Sequence, residues 1–156
     1  MSLSKQDRLT YLWPFANECR AFARLAQSGF NGNIAVKSYG WMKLSSEQLQ
    51  KARLLSKNNS LSPWSIVKDF IVADTTGEDL PCILRSIDTF RDVKILLQDP
   101  RLENFKGKLL VDLGTTRTYP HPFWNEFEAN AFYNSTKRAI SAWHSENGCL
   151  KEGRPL

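Results

Sequence analysis

Long apolar runs are missing from this chain. None of its stretches approaches the ~18 apolar residues needed to cross a bilayer, and no apolar segment near the N-terminus has the make-up of a secretory signal. Cysteine is scarce. Cys19, Cys82 and Cys149 are odd in number, widely spaced and without a Cys-x-x-Cys pair, which argues against a disulfide framework and against a zinc site. Reduced thiols in a cytosolic or nuclear protein are the expectation, and the Asn-x-Ser/Thr matches at Asn58 and Asn134 then carry no glycosylation role. There is no internal repeat, no low-complexity tract and no run of basic residues. The net charge of +5 is spread along the chain, so it tolerates an anionic partner but gives little indication of a nucleic-acid face. His121 and His144 are isolated, with no Ser-His-Asp arrangement and no His-Glu-x-x-His. His121, between two prolines, reads as a loop residue.

What the chain does have is ordinary globular material. Its 156 residues are 42% hydrophobic and 24% charged, with nine Phe, five Trp and four Tyr, enough for one domain with a core. Pro14 to Ser28 is expected to be helical, started by Pro14 and stopped by Gly29, with Phe15, Cys19, Phe22 and Ala26 on one stripe and Leu25 beside it. Glu18 falls on or beside that inward stripe, so it either pairs with a cation or snorkels to water. Ile34 to Met42 reads as a strand with Gly40 as a bulge, and Ser45 to Ser56 as a surface helix with Ser45 and Gln48 forming a capping box. After a polar loop, Trp64 to Ile71 alternates as a strand, with Ile66, Lys68 and Phe70 on one face. Asp79 and Pro81 open the clearest helix, striped by Leu80, Ile83, Leu84, Ile87 and Phe90. A short apolar run, Val93 to Leu97, follows, then a turn at Lys106-Gly107-Lys108. The last helix is expected from Phe123 to about Trp143, with Phe127, Ala131, Ala139 and Trp143 at helical spacings, before a polar tail.

The segment that carries chemistry is Asp99-x-x-x-x-Asn104, followed by Asp112-Leu113-Gly114. A carboxylate and an amide on one loop, with a second carboxylate returned to them by a hairpin, supply the oxygen donors that hard Mg²⁺ prefers. Glycine after the second Asp lets the backbone turn close to it. A long amphipathic helix and a short apolar strand precede the segment, and Leu109 to Val111 leads straight into Asp112.

In these residues the chain resembles the protein kinase superfamily, and more narrowly a set of fungal kinase-like proteins that includes a kinetochore-complex subunit. The resemblance runs over residues 14 to 120, through Phe15 to Leu25, Ala35 to Trp41, Ile66 to Ile71 and the Asp99 to Gly114 core. It implies an α+β, truncated protein-kinase-like fold: a kinase-like domain over 14–145, divided into an N-lobe remnant (14–73) and a partial helical C-lobe (79–145). An N-terminal extension (1–13) and a polar tail (146–156) flank it. Carried over, Asp99 is the catalytic base and Arg101 the residue neutralising a transferring phosphate. Asn104 and Asp112 are the metal ligands. Glu18 and Lys68 belong to the nucleotide site, Lys68 on the hinge strand.

Several kinase features are missing. The 13 residues before the first helix hold no glycine-rich loop, and their one lysine, Lys5, sits in polar surroundings, so Glu18 is expected to lack its usual lysine partner. Leu97 and Gln98 stand where His and Arg usually precede the catalytic Asp, and 42 residues follow Gly114. The expectation is therefore a shortened, degenerate kinase-like protein acting as a binding or scaffold module with a protein partner. The alternatives are an active phosphotransferase using Mg²⁺ and ATP, and a chromatin- or kinetochore-associated module.

Overall fold

A computed structural model describes Ser4, Asp7 and residues 10–151, with side chains described as far as residue 142. Among the described residues, four helices of eleven residues or more and six short strands follow one another. Helix α1 (Pro14–Gln27) starts on Pro14 and stops where Gly29 takes φ +76°, with Phe30 N–H on the Leu25 carbonyl and Gly29 N–H on that of Ala26. This is a Schellman stop, and glycine carries its left-handed residue without strain. The buried residues of α1 are Asn17, Ala21, Phe22 and Leu25, not the expected Phe15/Cys19/Phe22/Ala26 stripe; Ala26 is exposed. The polar Asn17 turns inward because its amide has a buried partner, the Gly114 carbonyl at 3.1 Å.

Strands β1 (Ser38–Lys43) and β2 (Trp64–Lys68) form an antiparallel pair, and the expected irregularity at Gly40 is present as a register shift between Ser38 and Gly40. β1 starts later than expected because Ile34, Ala35 and Val36 are used elsewhere. All three are buried, and two backbone bonds join them to Leu110, Val36 N–H to Leu110 O at 2.9 Å and Leu110 N–H to Ile34 O at 3.2 Å. β2 ends sooner than expected, at Lys68, one bond short of the last contact with the neighbouring segment, Asp69 N–H on the Lys37 carbonyl at 3.0 Å. Phe70 points to solvent, 89% exposed, and leaves the face of Ile66 and Lys68. Between the two strands α2 (Ser46–Ser56) stands behind the predicted capping box, Gln48 N–H on Ser45 Oγ and Ser45 N–H on Gln48 Oε1, and buries no residue fully.

Helix α3 (Leu80–Asp92) buries Leu80, Ile83, Ser86, Ile87 and Phe90, close to the stripe read from the sequence. Asp79 precedes it but does not cap it; its carboxylate takes the Thr76 N–H and hydroxyl and closes the turn before the helix. β3 (Ile95–Leu96) pairs with β6 (Arg117–Thr118), and β4 (Phe105–Lys106) with β5 (Leu109–Leu110) around Gly107, the expected tight hairpin.

Helix α4 (Glu126–Lys151) starts behind Asn125, whose Oδ1 accepts from Phe127 N–H and Glu128 N–H. It buries Ala129, Tyr133, Thr136 and Ile140, whereas Phe127, Ala131 and Ala139 are exposed, so the predicted stripe lies off the true one. α4 packs against α3, to which Lys137 is also tied through Asp88 at 2.6 Å. The side chain of Trp143 lies outside the described residues. The helix continues into the segment expected to be a polar tail, and 152–156 lie outside the described residues too. The core gathers Leu25 of α1, Val36, Ile83 and Phe90 of α3, Phe105 of β4, and Leu113. Among the described residues no helix is long and apolar enough to cross a membrane.

Candidate functional site

Three segments meet at one lysine. Lys68 closes β2, its side chain passing inward alongside Ile66; Glu18 lies in the second turn of α1; Val111 follows β5. The Lys68 ammonium donates to Glu18 Oε1 at 2.6 Å and to the Val111 carbonyl at 2.7 Å, and lies 5.9 Å from the centre of the Phe22 ring. Glu18 keeps 15% of its side chain exposed and Lys68 31%. Burial raises the Glu18 pKa most, Lys68 offsets part of that by stabilising the carboxylate, and the charge of Asp112 adds a small further rise. Glu18 is thus neither unpartnered nor a snorkelling rim residue. Its partner comes from β2 rather than from upstream of α1.

Asp112 sits one residue beyond the carbonyl that Lys68 holds. Its Oδ1 accepts from Gly114 N–H at 2.8 Å, which folds Asp112-Leu113-Gly114 into a tight turn. A Cβ on Gly114 would stand 3.2 Å from that Oδ1 and 3.3 Å from Pro14 Cβ, so glycine permits α1 and this turn to touch. On the adjoining loop the Arg101 guanidinium grips both Asp99 oxygens, at 2.6 and 2.7 Å, and also meets Glu103. The Asp99 pKa is lowered, first by the hydrogen bond from Arg101. Asn104 donates its side-chain amide to the Asp99 carbonyl at 2.9 Å, and its own carbonyl accepts from Val111 N–H at 2.8 Å, which lashes the loop to the strand Lys68 holds.

All six residues singled out from the sequence therefore lie in two joined groups. Glu18, Lys68 and Asp112 make one; Asp99, Arg101 and Asn104 make the other. Asp112 acts electrostatically on both Glu18 and Arg101. Among the described residues no three His, Cys, Asp or Glu side chains group closely enough to hold a metal ion. The donors are also engaged: Asp99 by Arg101, one Asp112 oxygen by Gly114.

Sequence reasoning missed Asn17 and the Lys68–Glu18 pairing. The signal for the second was present, since Lys68 alternates onto the inner face of its strand, where a cation needs a buried carboxylate. It also missed an aromatic cluster in which Phe15 lies 5.0 Å from Trp13, 6.2 Å from Trp64 and 6.5 Å from Trp41, between ring centres. Two concavities adjoin these groups. One of about 700 Å³ is lined by Arg101, Glu103, Phe105 and Lys106; the other, of about 530 Å³, lies between α1 and β1. His121, read as a loop residue, is buried in its loop, with Nδ1 accepting from Phe123 N–H and the ring edge against Tyr11.

A family model described as Kinetochore Sim4 complex subunit FTA2 matches residues 2–117. The match takes in both groups of site residues and ends at the first residue of β6. No curated protein and no solved structure gives a match.

Proposed function

We propose a function from family membership: the chain belongs to the family of kinetochore Sim4 complex subunit FTA2, and as a member it is a nuclear, protein-docking subunit of a kinetochore assembly. In this reading the fold is a shortened kinase-like one, with a 14–73 remnant and a 79–145 helical part. The kinase-type residues have become structural. The observation that carries the proposal is the engagement of the catalytic-type side chains. Asp99 is clasped by Arg101, and Asn104 by the Asp99 carbonyl. Phosphoryl transfer depends on positioned donors aimed at the phosphate, and here those donors are aimed at the protein. The family name implies protein partners; a chromatin contact through the net positive charge is a weaker corollary.

A second reading, an active phosphotransferase using Mg²⁺ and ATP, is favoured by one observation. A lysine–glutamate pair stands beside Asp112, as phosphate binding would require. Calorimetric titration of Mg²⁺-ATP into the full chain, beside an Asp112→Ala control, separates the two. Absence of binding is expected. Micromolar binding that the control loses would overturn the docking reading and install the enzyme. Reconstitution with the other subunits of the complex is the positive arm, and co-elution as one species is expected.

A further inference from the structure

Strand β1 is an edge of a two-stranded sheet and is exposed from Tyr39 to Lys43. Alternate residues of such an edge turn their N–H and C=O groups away from the only neighbouring strand, which makes the edge a template for another. At Ser38 that template is closed. The Asn31 side chain accepts from Ser38 N–H and donates to Ser38 O, each at 2.9 Å, and so takes the part of a neighbouring peptide group. Past the register shift at Gly40, no side chain among the described residues bonds the backbone of 41–43.

Beside this open edge lies the 530 Å³ concavity, lined by Phe22, Ala23 and Ala26 of α1, by Tyr39 and Trp41 of β1, and by Ile66. Trp41 and Tyr39 are each 60% exposed, an uncommon state for two large rings on one short strand. Three basic residues, Arg20 in the lining and Lys37 and Lys43 beside it, outnumber one nearby acid, Asp69. Lys37 lies 5.1 Å from the centre of the Tyr39 ring and Lys43 5.5 Å from that of Trp64, while Arg20 donates to Thr10 O and Asn17 Oδ1. Among the described residues none of the three is ion-paired to a carboxylate, and no acidic residue lines the groove. Asp69, which accepts from the Tyr39 hydroxyl at 2.8 Å, stands outside the lining, as do Lys37 and Lys43.

We propose that this edge takes an extended, acidic segment of a partner protein as a third strand. Backbone pairing runs along Trp41–Lys43, alternate apolar side chains enter the groove, and Asp or Glu side chains meet Arg20, Lys37 and Lys43. The proposal rests on the protein-docking reading above and supplies the chemistry of the partner.

The test uses the full chain and a synthetic, end-blocked peptide of alternating valine and glutamate. Two controls accompany it: the same peptide with lysine for glutamate, and the same peptide N-methylated at alternate residues. The glutamate peptide is expected to bind and to slow amide hydrogen exchange at residues 41–43. Binding should weaken at least about tenfold in the Lys37→Glu/Lys43→Glu variant and fall with added salt. Both lysines are exposed, so the variant should melt as the parent does. No binding by the glutamate peptide, equal binding by the lysine peptide, or equal binding by the N-methylated peptide would each overturn the proposal. So would sedimentation showing that the free chain already pairs through this edge with a second copy. Reconstitution keeps the two readings apart: a double variant that still joins the other subunits as wild type does removes this docking mode alone, whereas a wild-type chain that fails to join removes the kinetochore-subunit reading.

Discussion

Asp112 stands near enough to Glu18 to oppose its ionisation, and the cation that reconciles the two is Lys68, drawn from a different strand. Glu18 answers to both neighbours, since a change in either Lys68 or Asp112 moves its proton affinity. That coupling can be measured without a ligand.

Lys68→Met is expected to raise the Glu18 pKa further and Asp112→Asn to lower it, both read by carboxyl ¹³C NMR titration. Lys68→Met should destabilise by about 1–3 kcal/mol at neutral pH, less than a fully buried pair because Lys68 is partly exposed. The folded-state pKa of Glu18 is raised, so protonation favours the fold, and the stability it brings is lost as pH rises through that pKa. The deficit of Lys68→Met is therefore largest at neutral pH and shrinks on acidification. A deficit that grows on acidification would contradict the assignment.

His121 titrates with the opposite sign. Burial lowers its pKa first, with Arg117 and Arg20 adding to the effect against the Tyr11 carbonyl. Its neutral form contributes stability above the ordinary histidine pKa, and that stability is lost as pH falls through the lowered one. Between about pH 7 and pH 5, the wild type should lose more thermal stability than His121→Gln. Equal losses would show that the ring does not titrate with folding.

Asn104→Ala removes the side-chain donor to the Asp99 carbonyl and should cost about 1 kcal/mol in urea unfolding. Faster amide exchange confined to residues 99–104 is expected alongside it. No change in either would mean that the hydrogen bond does not hold the loop.

Phe90 is fully buried and Phe70 is 89% exposed. Phe90→Ala should therefore cost about 3–5 kcal/mol and Phe70→Ala less than about 0.5 kcal/mol. The pair checks the placement of the core against the exposed segment after β2.

The parts of this fold legible in the sequence are those decided within a few residues. Pro14 and Gly29 bound α1, Ser45 and Gln48 cap α2, and Lys106-Gly107-Lys108 turns the hairpin. The α3 stripe was legible because its large apolar residues fall on one side. In α1 and α4 they surround the helix, as Phe15, Phe22, Phe127 and Phe132 show, and the buried face is chosen by distant elements. The site divided in the same way. Asp99, Asn104 and Asp112 could be picked out by spacing, while the meeting of Lys68 with Glu18 depends on how β2 lies against α1.

The bonds from Ile34 and Val36 to Leu110 have a consequence for cooperativity. They stitch the segment leading into β1 onto the hairpin strand by main-chain groups, which no side-chain substitution deletes. Melting the hairpin strips Val36 and Ile34 of their partners, and melting β1 from its near end does the same to Leu110. Heat or denaturant should accordingly produce one transition, in which fluorescence from Trp41 and Trp64 changes together with loss of the helical signal from α3 and α4.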